Sequence, residues 1–206
     1  MLTTKENEAY ALYIDDDLQR FSNEEIESLI RQFPKQRRET LLAYRNLEAR
    51  RQGALAYLLL REALRERYSL EAPDFAFNEH SKPFFLNYPD IHFNLSHCRN
   101  AVACALSSEP IGVDIESIRT AREALVRHTM SEEEARAILS APDPNLQFTI
   151  LWTRKEALLK LRGTGIAADL PGVLTDCDAR IDTTIHDTFV CSVAQQAQTG
   201  IRMVNG

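Results

Sequence analysis

The chain has 206 residues, of which 44% are hydrophobic and 26% charged, and its formal net charge is −6. This composition is ordinary for a globular protein. An acidic chain also argues against a general nucleic-acid-binding domain, which would be basic, so we expect no nucleic acid as a partner.

No run of residues is as long and apolar as a transmembrane helix, and the first residues lack the apolar core of a signal peptide. The four cysteines are widely spaced and include no Cys-x-x-Cys pair: Cys98, Cys104, Cys177 and Cys191. Such spacing is typical of reduced thiols in the cytosol. We therefore predict a cytoplasmic protein without membrane association, a disulfide framework or a zinc site.

The first half of the chain predicts both helices and strands. Tyr10, Leu12 and Ile14 alternate with smaller or polar residues and predict a first strand. Ser22 and Glu25 form a capping-box pattern, which predicts a helix that ends before Pro34. A long helical region then extends to about residue 67. Five short strands are predicted at 75–78, 84–86, 92–95, 101–106 and 111–116.

The second half begins with helices and ends with strands. Ser131 and Glu134 form another capping-box pattern, for a helix through Ser140. A longer helix is predicted from about residue 145 to residue 162, and Gly163 supplies a left-handed cap. Strands are predicted near 179–186, 188–194 and 201–204. Because strands and helices do not alternate regularly, the fold class is α+β.

Residues 35–67 are basic although the whole chain is acidic. They hold nine basic and four acidic side chains, a local charge of +5. A basic surface on an acidic protein indicates a specific anionic partner. The alternative is an exposed helix with Arg–Glu pairs, which would account for about half of these charges. The basic residues are Lys35, Arg37, Arg38, Arg45, Arg50, Arg51, Arg61, Arg65 and Arg67.

The strand Gly112–Glu116 carries two carboxylates on one face. Val113 and Ile115 share one side, so Asp114 and Glu116 project together from the other. Neighbouring carboxylates repel each other unless a cation lies between them. Mg²⁺ accepts carboxylate oxygens, waters and substrate phosphates and would fit this pair. A solvated acidic strand face is the alternative.

The helical segment Trp152–Lys160 carries a polar stripe. Trp152, Glu156 and Lys160 follow each other at intervals of four residues, so they lie on one side of the helix. Taken alone, Glu156 and Lys160 could form an ordinary surface ion pair. The acidic strand upstream makes a functional site the better interpretation.

These two motifs resemble the paired signature of 4′-phosphopantetheinyl transferases. Two shorter motifs, Phe93–His97 (Phe-Asn-Leu-Ser-His) and Lys82–Phe84 (Lys-Pro-Phe), fall in the order and spacing of the Sfp-type branch of that family. The resemblance spans residues 35–165. It implies two similar α+β halves, residues 1–109 and 110–206, that form an intramolecular pseudo-dimer and work as a monomer.

The resemblance also implies an activity. A member of the family moves 4′-phosphopantetheine from coenzyme A to a serine of an apo acyl or peptidyl carrier protein, as a holo-acyl-carrier-protein synthase does. The cofactor is Mg²⁺, with Mn²⁺ as a substitute, and adenosine 3′,5′-bisphosphate is released. The carrier could belong to fatty acid, polyketide or nonribosomal peptide synthesis.

Roles for single residues follow from the same resemblance. Asp114, Glu116 and Glu156 hold the metal. Glu156 also takes the proton of the serine, and Lys160 stabilises the leaving nucleotide. Arg51 approaches the 3′-phosphate of coenzyme A. The other implied contacts to coenzyme A are Lys82, Pro83, Ser96, His97, Asp114, Lys155 and Lys160.

Two other classes of protein remain open. A metal-dependent phosphohydrolase would cleave coenzyme A with the same carboxylates but needs no carrier surface, so the basic stretch 35–67 argues against it. An inactive adaptor would bind carrier proteins without chemistry. Such an adaptor has no physical need for carboxylates that repel each other.

Overall fold

The computed structural model describes residues 2–6, 9–71, 73, 75–80, 82–163, 170–175 and 177–197. Within these ranges the helices are α1 (Asn23–Arg31), α2 (Lys35–Leu42), α3 (Leu47–Tyr68), α4 (Glu123–Thr129), α5 (Glu132–Leu139) and α6 (Pro144–Arg162). The strands are β1 (Leu2–Glu6), β2 (Ala11–Asp15), β3 (Phe75–Phe77), β4 (Pro83–Phe85), β5 (His92–His97), β6 (Val102–Ser107), β7 (Ile111–Ser117), β8 (Ala179–Ile185) and β9 (Phe189–Gln196).

The N-terminal sheet is antiparallel, with the strand order β1-β2-β6-β5. One face of it packs against α1 and α3, where Tyr13 and Cys104 meet Leu55 and Leu59 in a buried core. Alternation along β2 sends Leu12 and Ile14 to the opposite face, which is also buried. The strands β3 and β4 form a separate hairpin.

The C-terminal sheet has the order β7-β9-β8 and is also antiparallel. The helix α6 lies directly on β7 and β9. Gly112 makes this close approach possible, because a Cβ atom there would lie 2.1 Å from the Ala157 carbonyl oxygen and 2.3 Å from the Leu161 nitrogen. The backbone of α6 is therefore held against the middle of β7.

The two sheets meet where β5 runs beside β7. The Val113 N–H donates to Asn94 Oδ1 (2.8 Å), and the Ile115 N–H donates to Ser96 Oγ (3.2 Å). Both bonds join residues 19 apart, so the two strands run parallel, with polar side chains of β5 bridging them. The side chains of Val113 and Ile115 project from the face of β7 opposite to Asp114 and share one core with β2, β6 and β9.

The locally coded predictions are confirmed. Both capping boxes form, at Ser22 and Ser131, and Gly163 ends α6 with a φ of +67°. The mixture of helices and strands is consistent with the α+β class. The sequence did not predict β1 or α4, and the long helical region is divided into α2 and α3 by residues 43–46.

Some expectations stay open. The predicted strand at 201–204 lies outside the described residues. The chain passes from one sheet to the other through residues 108–110. The similarity of the two halves stays a prediction. No helix in the described ranges is long and apolar enough to cross a membrane.

Candidate active site

The polar stripe of α6 faces the carboxylates of β7. At one end the Trp152 Nε1–H donates to Glu116 Oε1 (3.2 Å). Two turns later, Lys160 Nζ donates to Asp114 Oδ1 (2.6 Å). The helix therefore runs antiparallel to the strand, and Glu156 lies on the stripe between these two contacts.

Asp114 is the most enclosed carboxylate of the site, with 4% of its surface exposed. Its Oδ1 accepts hydrogen bonds from Ser96 Oγ (3.0 Å) and from Lys160. Its Oδ2 is buried and has no hydrogen-bond partner among the described residues. Leaving such an acceptor unsatisfied costs about 1–3 kcal/mol, so this oxygen is suited to a ligand that arrives later.

The surroundings of Glu116 and Glu156 disfavour the ionised form of each carboxyl group. Loss of hydration raises the pKa of each carboxyl above its usual value, and the negative charge of Asp114 raises the pKa of each further. Lys160 opposes the rise at both residues without cancelling it. The three carboxylates therefore form one acidic cluster in which the charge of Asp114 disfavours the ionisation of both glutamates.

The donor set of this cluster fits a hard divalent cation. All of its candidate metal ligands are carboxylate oxygens, and one of them, Oδ2 of Asp114, has no hydrogen-bond partner among the described residues. As the side chains stand, no three acidic, His or Cys groups in the described ranges are placed to hold a metal ion. The fit therefore rests on the charge and chemistry of the three carboxylates.

Lys160 supplies a positive charge beside the carboxylates, and Ser96 and His97 follow each other on β5 nearby. Ser96 Oγ accepts from Lys160 Nζ (2.9 Å) and donates to Asp114, so it fixes both members of the ion pair. Loss of hydration lowers the pKa of His97, and the charges of Lys160 and Arg37 lower it further. The lowered pKa favours the neutral imidazole, and His97 is exposed at the end of β5, directly after Ser96.

Lys82 and Pro83 lie beyond Lys160, at the C-terminal end of α6. Lys82 Nζ donates to the carbonyls of Lys160 (2.7 Å), Leu161 (3.1 Å) and Ile111 (3.1 Å). Burial lowers the pKa of Lys82 to about 8. Both residues line a cleft of about 270 Å³ together with Phe84, His92 and Gly163. Lys82 thus stabilises the end of the helix while it borders the cleft.

Two predicted contact residues are not brought to the site. Lys155 is fully buried on another side of α6, where Nζ pairs with Glu134 (2.7 Å) and donates to the carbonyls of Thr129, Leu170 and Pro171. Arg51 is also buried, and its guanidinium binds the carbonyls of Leu18 and Phe21 and the side chain of Asn23. In this structure both cations have internal partners, so neither is available to a phosphate.

The basic stretch 35–67 is likewise engaged within the protein. Arg50 pairs with Glu27 (2.5 Å), and Arg67 pairs with Glu6 (3.0 Å). Arg37 donates to the Gly53 carbonyl (2.8 Å) and lies over the Tyr57 ring. Lys35 and Arg45 remain exposed. The stretch therefore presents fewer available charges than its sequence predicts.

Arg119 also lies beside the site, although the sequence did not predict it. Its guanidinium lies over the Trp152 ring, 4.5 Å from the centroid, and its charge lowers the pKa of Glu116 and Glu156 against the larger effects of dehydration and Asp114. No motif or periodicity points to this residue. Only its place three residues after Glu116 could have drawn attention to it.

The family model of the 4′-phosphopantetheinyl transferase superfamily matches residues 110–199, which include both β7 and α6. Together with the relatives described next, this match shows that the chain belongs to that superfamily, in its Sfp-type branch.

The similarity to curated relatives extends beyond the matched region. The chain is 33% identical to the 4′-phosphopantetheinyl transferase Sfp of Bacillus subtilis (strain 168), over 78% of this chain and 72% of that protein. It is 33% identical to the 4′-phosphopantetheinyl transferase gsp of Aneurinibacillus migulanus, over 64% of this chain and 56% of that protein. It is 34% identical to the 4′-phosphopantetheinyl transferase AcpT of Salmonella typhi, over 54% of this chain and 64% of that protein.

Proposed function

We propose that this protein transfers 4′-phosphopantetheine from coenzyme A to a serine hydroxyl of an apo acyl or peptidyl carrier protein. In this reaction the serine oxygen bonds to the phosphorus that bears the pantetheine arm. The bond from that phosphorus to the bridging oxygen breaks, and adenosine 3′,5′-bisphosphate leaves. The observation that carries the proposal is the Asp114 carboxylate, with one oxygen bound to Lys160 and Ser96 and the other buried without a partner.

Asp114, Glu116 and Glu156 would hold the metal ion, for which Mg²⁺ is the first choice and Mn²⁺ a substitute. When bound, such an ion offsets negative charge that develops on phosphate oxygens. The raised pKa values of Glu116 and Glu156 support this role, because a cation relieves the mutual repulsion of the carboxylates.

Glu156 is the proposed general base for the serine proton. The carboxylate lies on the polar stripe of α6 beside Asp114 and can take the proton directly or through a water molecule. After transfer, Glu156 holds the proton until solvent removes it. Asp114 and Glu116 stay with the metal and do not exchange protons with the substrate.

Lys160 and His97 are the proposed phosphate contacts. Lys160 Nζ is held by Asp114 and Ser96, and 29% of its side chain remains exposed, so an anion can reach it. It would stabilise the charge on the departing nucleotide. His97 is neutral and can donate one ring N–H to a phosphate oxygen.

The cleft bordered by Lys82 and Pro83 is the proposed place of the nucleotide. It lies beside the C-terminal end of α6, about one turn beyond Lys160, and has apolar walls from Phe84 and Ile91. A planar base suits such walls. Because Lys155 and Arg51 have internal partners, the 3′-phosphate is assigned to neither of them.

The remaining features of the proposal come from the sequence. A protein that acts on coenzyme A and carrier proteins needs neither nucleic acid nor a membrane as a partner. We expect it to work in the cytoplasm, where its four thiols stay reduced. We also expect a monomer built from the halves 1–109 and 110–206, because both sheets contribute to the site.

Intact-protein mass spectrometry of an apo carrier protein, incubated with this protein, coenzyme A and Mg²⁺, tests the proposal. We expect the carrier to gain one phosphopantetheine group, and EDTA to prevent the gain. The variant Asp114→Ala should give no product while keeping the fold, since the residue has no place in the apolar core. Consumption of coenzyme A without modification of several carriers would contradict the transfer and favour the hydrolase.

A further inference from the structure

Arg119 lies in the segment that follows β7, and hydrogen bonds pin this segment to the rest of the fold. The Ile118 N–H donates to the Thr188 carbonyl (2.9 Å), and the Ala121 N–H donates to Asn145 Oδ1 in the first turn of α6 (2.9 Å). The Arg119 N–H contacts Thr149 Oγ1 (3.4 Å), one turn further along the same helix. The backbone of Arg119 is therefore fixed relative to α6.

The guanidinium of Arg119 is held by aromatic faces. Its Cζ lies 4.5 Å from the ring centroid of Trp152 and 5.4 Å from that of Phe148. Its Nε and Nη2 atoms are buried and have no hydrogen-bond partner among the described residues. A guanidinium stacked in this way is attracted to the electron-rich ring face, and the attraction is stronger where water is excluded.

Trp152 contacts both Arg119 and the acidic cluster. Its single N–H donates to Glu116 Oε1, and its ring also contacts Phe148, with 6.0 Å between the ring centroids. Arg119, Trp152 and Glu116 thus form a continuous series: a cation on the ring face, and a carboxylate on the ring nitrogen. The indole can donate to Glu116 only in the orientation that this packing selects.

We propose that Arg119 is a positioning residue that stacks on Trp152 and so fixes the Glu116 carboxylate for catalysis. The stacking itself is a property of the fold. The catalytic consequence rests on the proposed transferase function.

Fluorescence tests the stacking without any activity measurement, because Trp152 is the single tryptophan of the chain. In the metal-free protein, Arg119→Ala uncovers one face of the indole. We expect the emission of this variant to shift to longer wavelength and its anisotropy to fall. Arg127→Ala is the matched control, since Arg127 pairs with Glu123 on the exposed side of α4, and it should leave the spectrum unchanged.

Steady-state kinetics tests the effect on Glu116. Arg119→Ala should lower kcat about tenfold while the KM for coenzyme A changes less than about twofold, because Arg119 does not touch the substrate. Trp152→Phe keeps an aromatic face but loses the donor to Glu116, so it should lower kcat similarly. The loss caused by Arg119→Ala should be smaller in the Trp152→Phe background than in the wild type, because the part that acts through Trp152 is already absent and only the effect of the Arg119 charge on Glu116 and Glu156 remains.

Three results would overturn the proposal. Emission that is unchanged in Arg119→Ala would mean that the guanidinium does not fix the indole. Fully additive losses in the double variant would mean that Arg119 does not act through Trp152, and a loss confined to the KM for coenzyme A would mean that Arg119 contacts the substrate directly. If Arg119→Ala is poorly folded by circular dichroism, Arg119→Lys replaces it, and the same spectral shift and kcat loss are expected to a smaller degree.

The test separates this inference from the proposed function. If the wild-type protein transfers no phosphopantetheine to any carrier, the proposed function fails, while the fluorescence of Arg119→Ala still decides whether the residue fixes Trp152.

Discussion

Two lysines on α6, five positions apart, have opposite surroundings. Lys160 faces β7, keeps 29% of its side chain exposed and shares Asp114 with Ser96. Lys155 faces α5 and residues 170–171, is completely buried, and binds one carboxylate and three carbonyls. One side of the helix is thus open to a ligand, while the other closes the fold.

The exposure of a charged side chain and its hydrogen-bond partners therefore decide its role. Both lysines belong to one motif and have the same chemistry. Lys155 satisfies acceptors that would otherwise be buried without a donor, whereas Lys160 leaves the neighbouring Oδ2 of Asp114 without one. An unsatisfied carboxylate oxygen thus lies beside Lys160, on the side of α6 that faces β7, which is therefore where chemistry is expected.

The largest effect should come from the open side of α6. Glu156→Gln keeps the shape of the side chain but removes the proton acceptor, so we expect transfer to slow by about 10²–10⁴-fold. Its thermal stability should equal that of the wild type or exceed it slightly, because one repelling carboxylate is removed. Single-turnover assays and thermal melts measure the two quantities, and turnover near the wild-type rate would remove Glu156 from the mechanism.

Displacing α6 from β7 should affect both activity and stability. In Gly112→Ala the new Cβ meets backbone atoms of Ala157 and Leu161, which cannot move alone. We expect a loss of about 3 kcal/mol in the free energy of unfolding. Transfer should fall by about 10²-fold, because Glu156 and Lys160 shift relative to Asp114. Denaturant unfolding and activity per folded molecule check this, and a variant of normal stability would contradict the close approach.

A substitution on the side of α6 that packs against α5 should change stability but not activity. Lys155→Met leaves Glu134 unpaired and three carbonyls without their donor, and we expect a loss of about 3 kcal/mol in the free energy of unfolding. Below the unfolding transition, kcat should stay within about twofold of the wild-type value, because Lys155 contacts no part of the site. Urea titration and steady-state assays at low temperature provide the measurements.

The smallest effect is expected away from α6, where the two sheets are joined. Tyr10 donates to Asp182 (3.2 Å), and burial, followed by the charge of Asp182, raises the pKa of Tyr10 to about 12. A raised pKa in the folded state means that the contribution is complete below pH 10 and is lost as the pH rises from 10 to about 12. Tyr10→Phe should cost about 1 kcal/mol at neutral pH. In urea unfolding experiments the difference between the variant and the wild type should shrink above pH 10, and it should be reversed near pH 12, because Tyr10→Phe cannot ionise.

Local patterns predicted much of the active side. Alternation along a strand predicted that Asp114 and Glu116 share one face, and the four-residue spacing predicted that Trp152 and Lys160 share one stripe of a helix. That the stripe faces the carboxylates followed only from the family resemblance. The capping boxes and the cap at Gly163 were predictable for the same reason, since each depends on residues close together in the sequence.

The internal partners of the charged residues were not predictable. Lys155 binds groups 15 to 26 positions away, and Arg51 binds groups about 30 positions away. These contacts arise only when separate elements pack together, and a pattern within one element contains no information about them. The same holds for Arg119, whose contact with Trp152 depends on how the segment after β7 crosses α6.

The most direct test compares Lys160→Met and Lys155→Met side by side, with single-turnover transfer and urea unfolding measured on both. We predict that Lys160→Met slows transfer by about 10²-fold, with the Kd of coenzyme A changed far less. Its stability should fall less than that of Lys155→Met, because Lys160 is partly exposed, makes fewer internal hydrogen bonds than Lys155, and leaves Asp114 with its hydrogen bond from Ser96. Lys155→Met should show the reverse pattern. Equal losses of transfer rate in the two variants, or a stability loss confined to Lys160→Met, would contradict the division of α6 into a catalytic and a structural side.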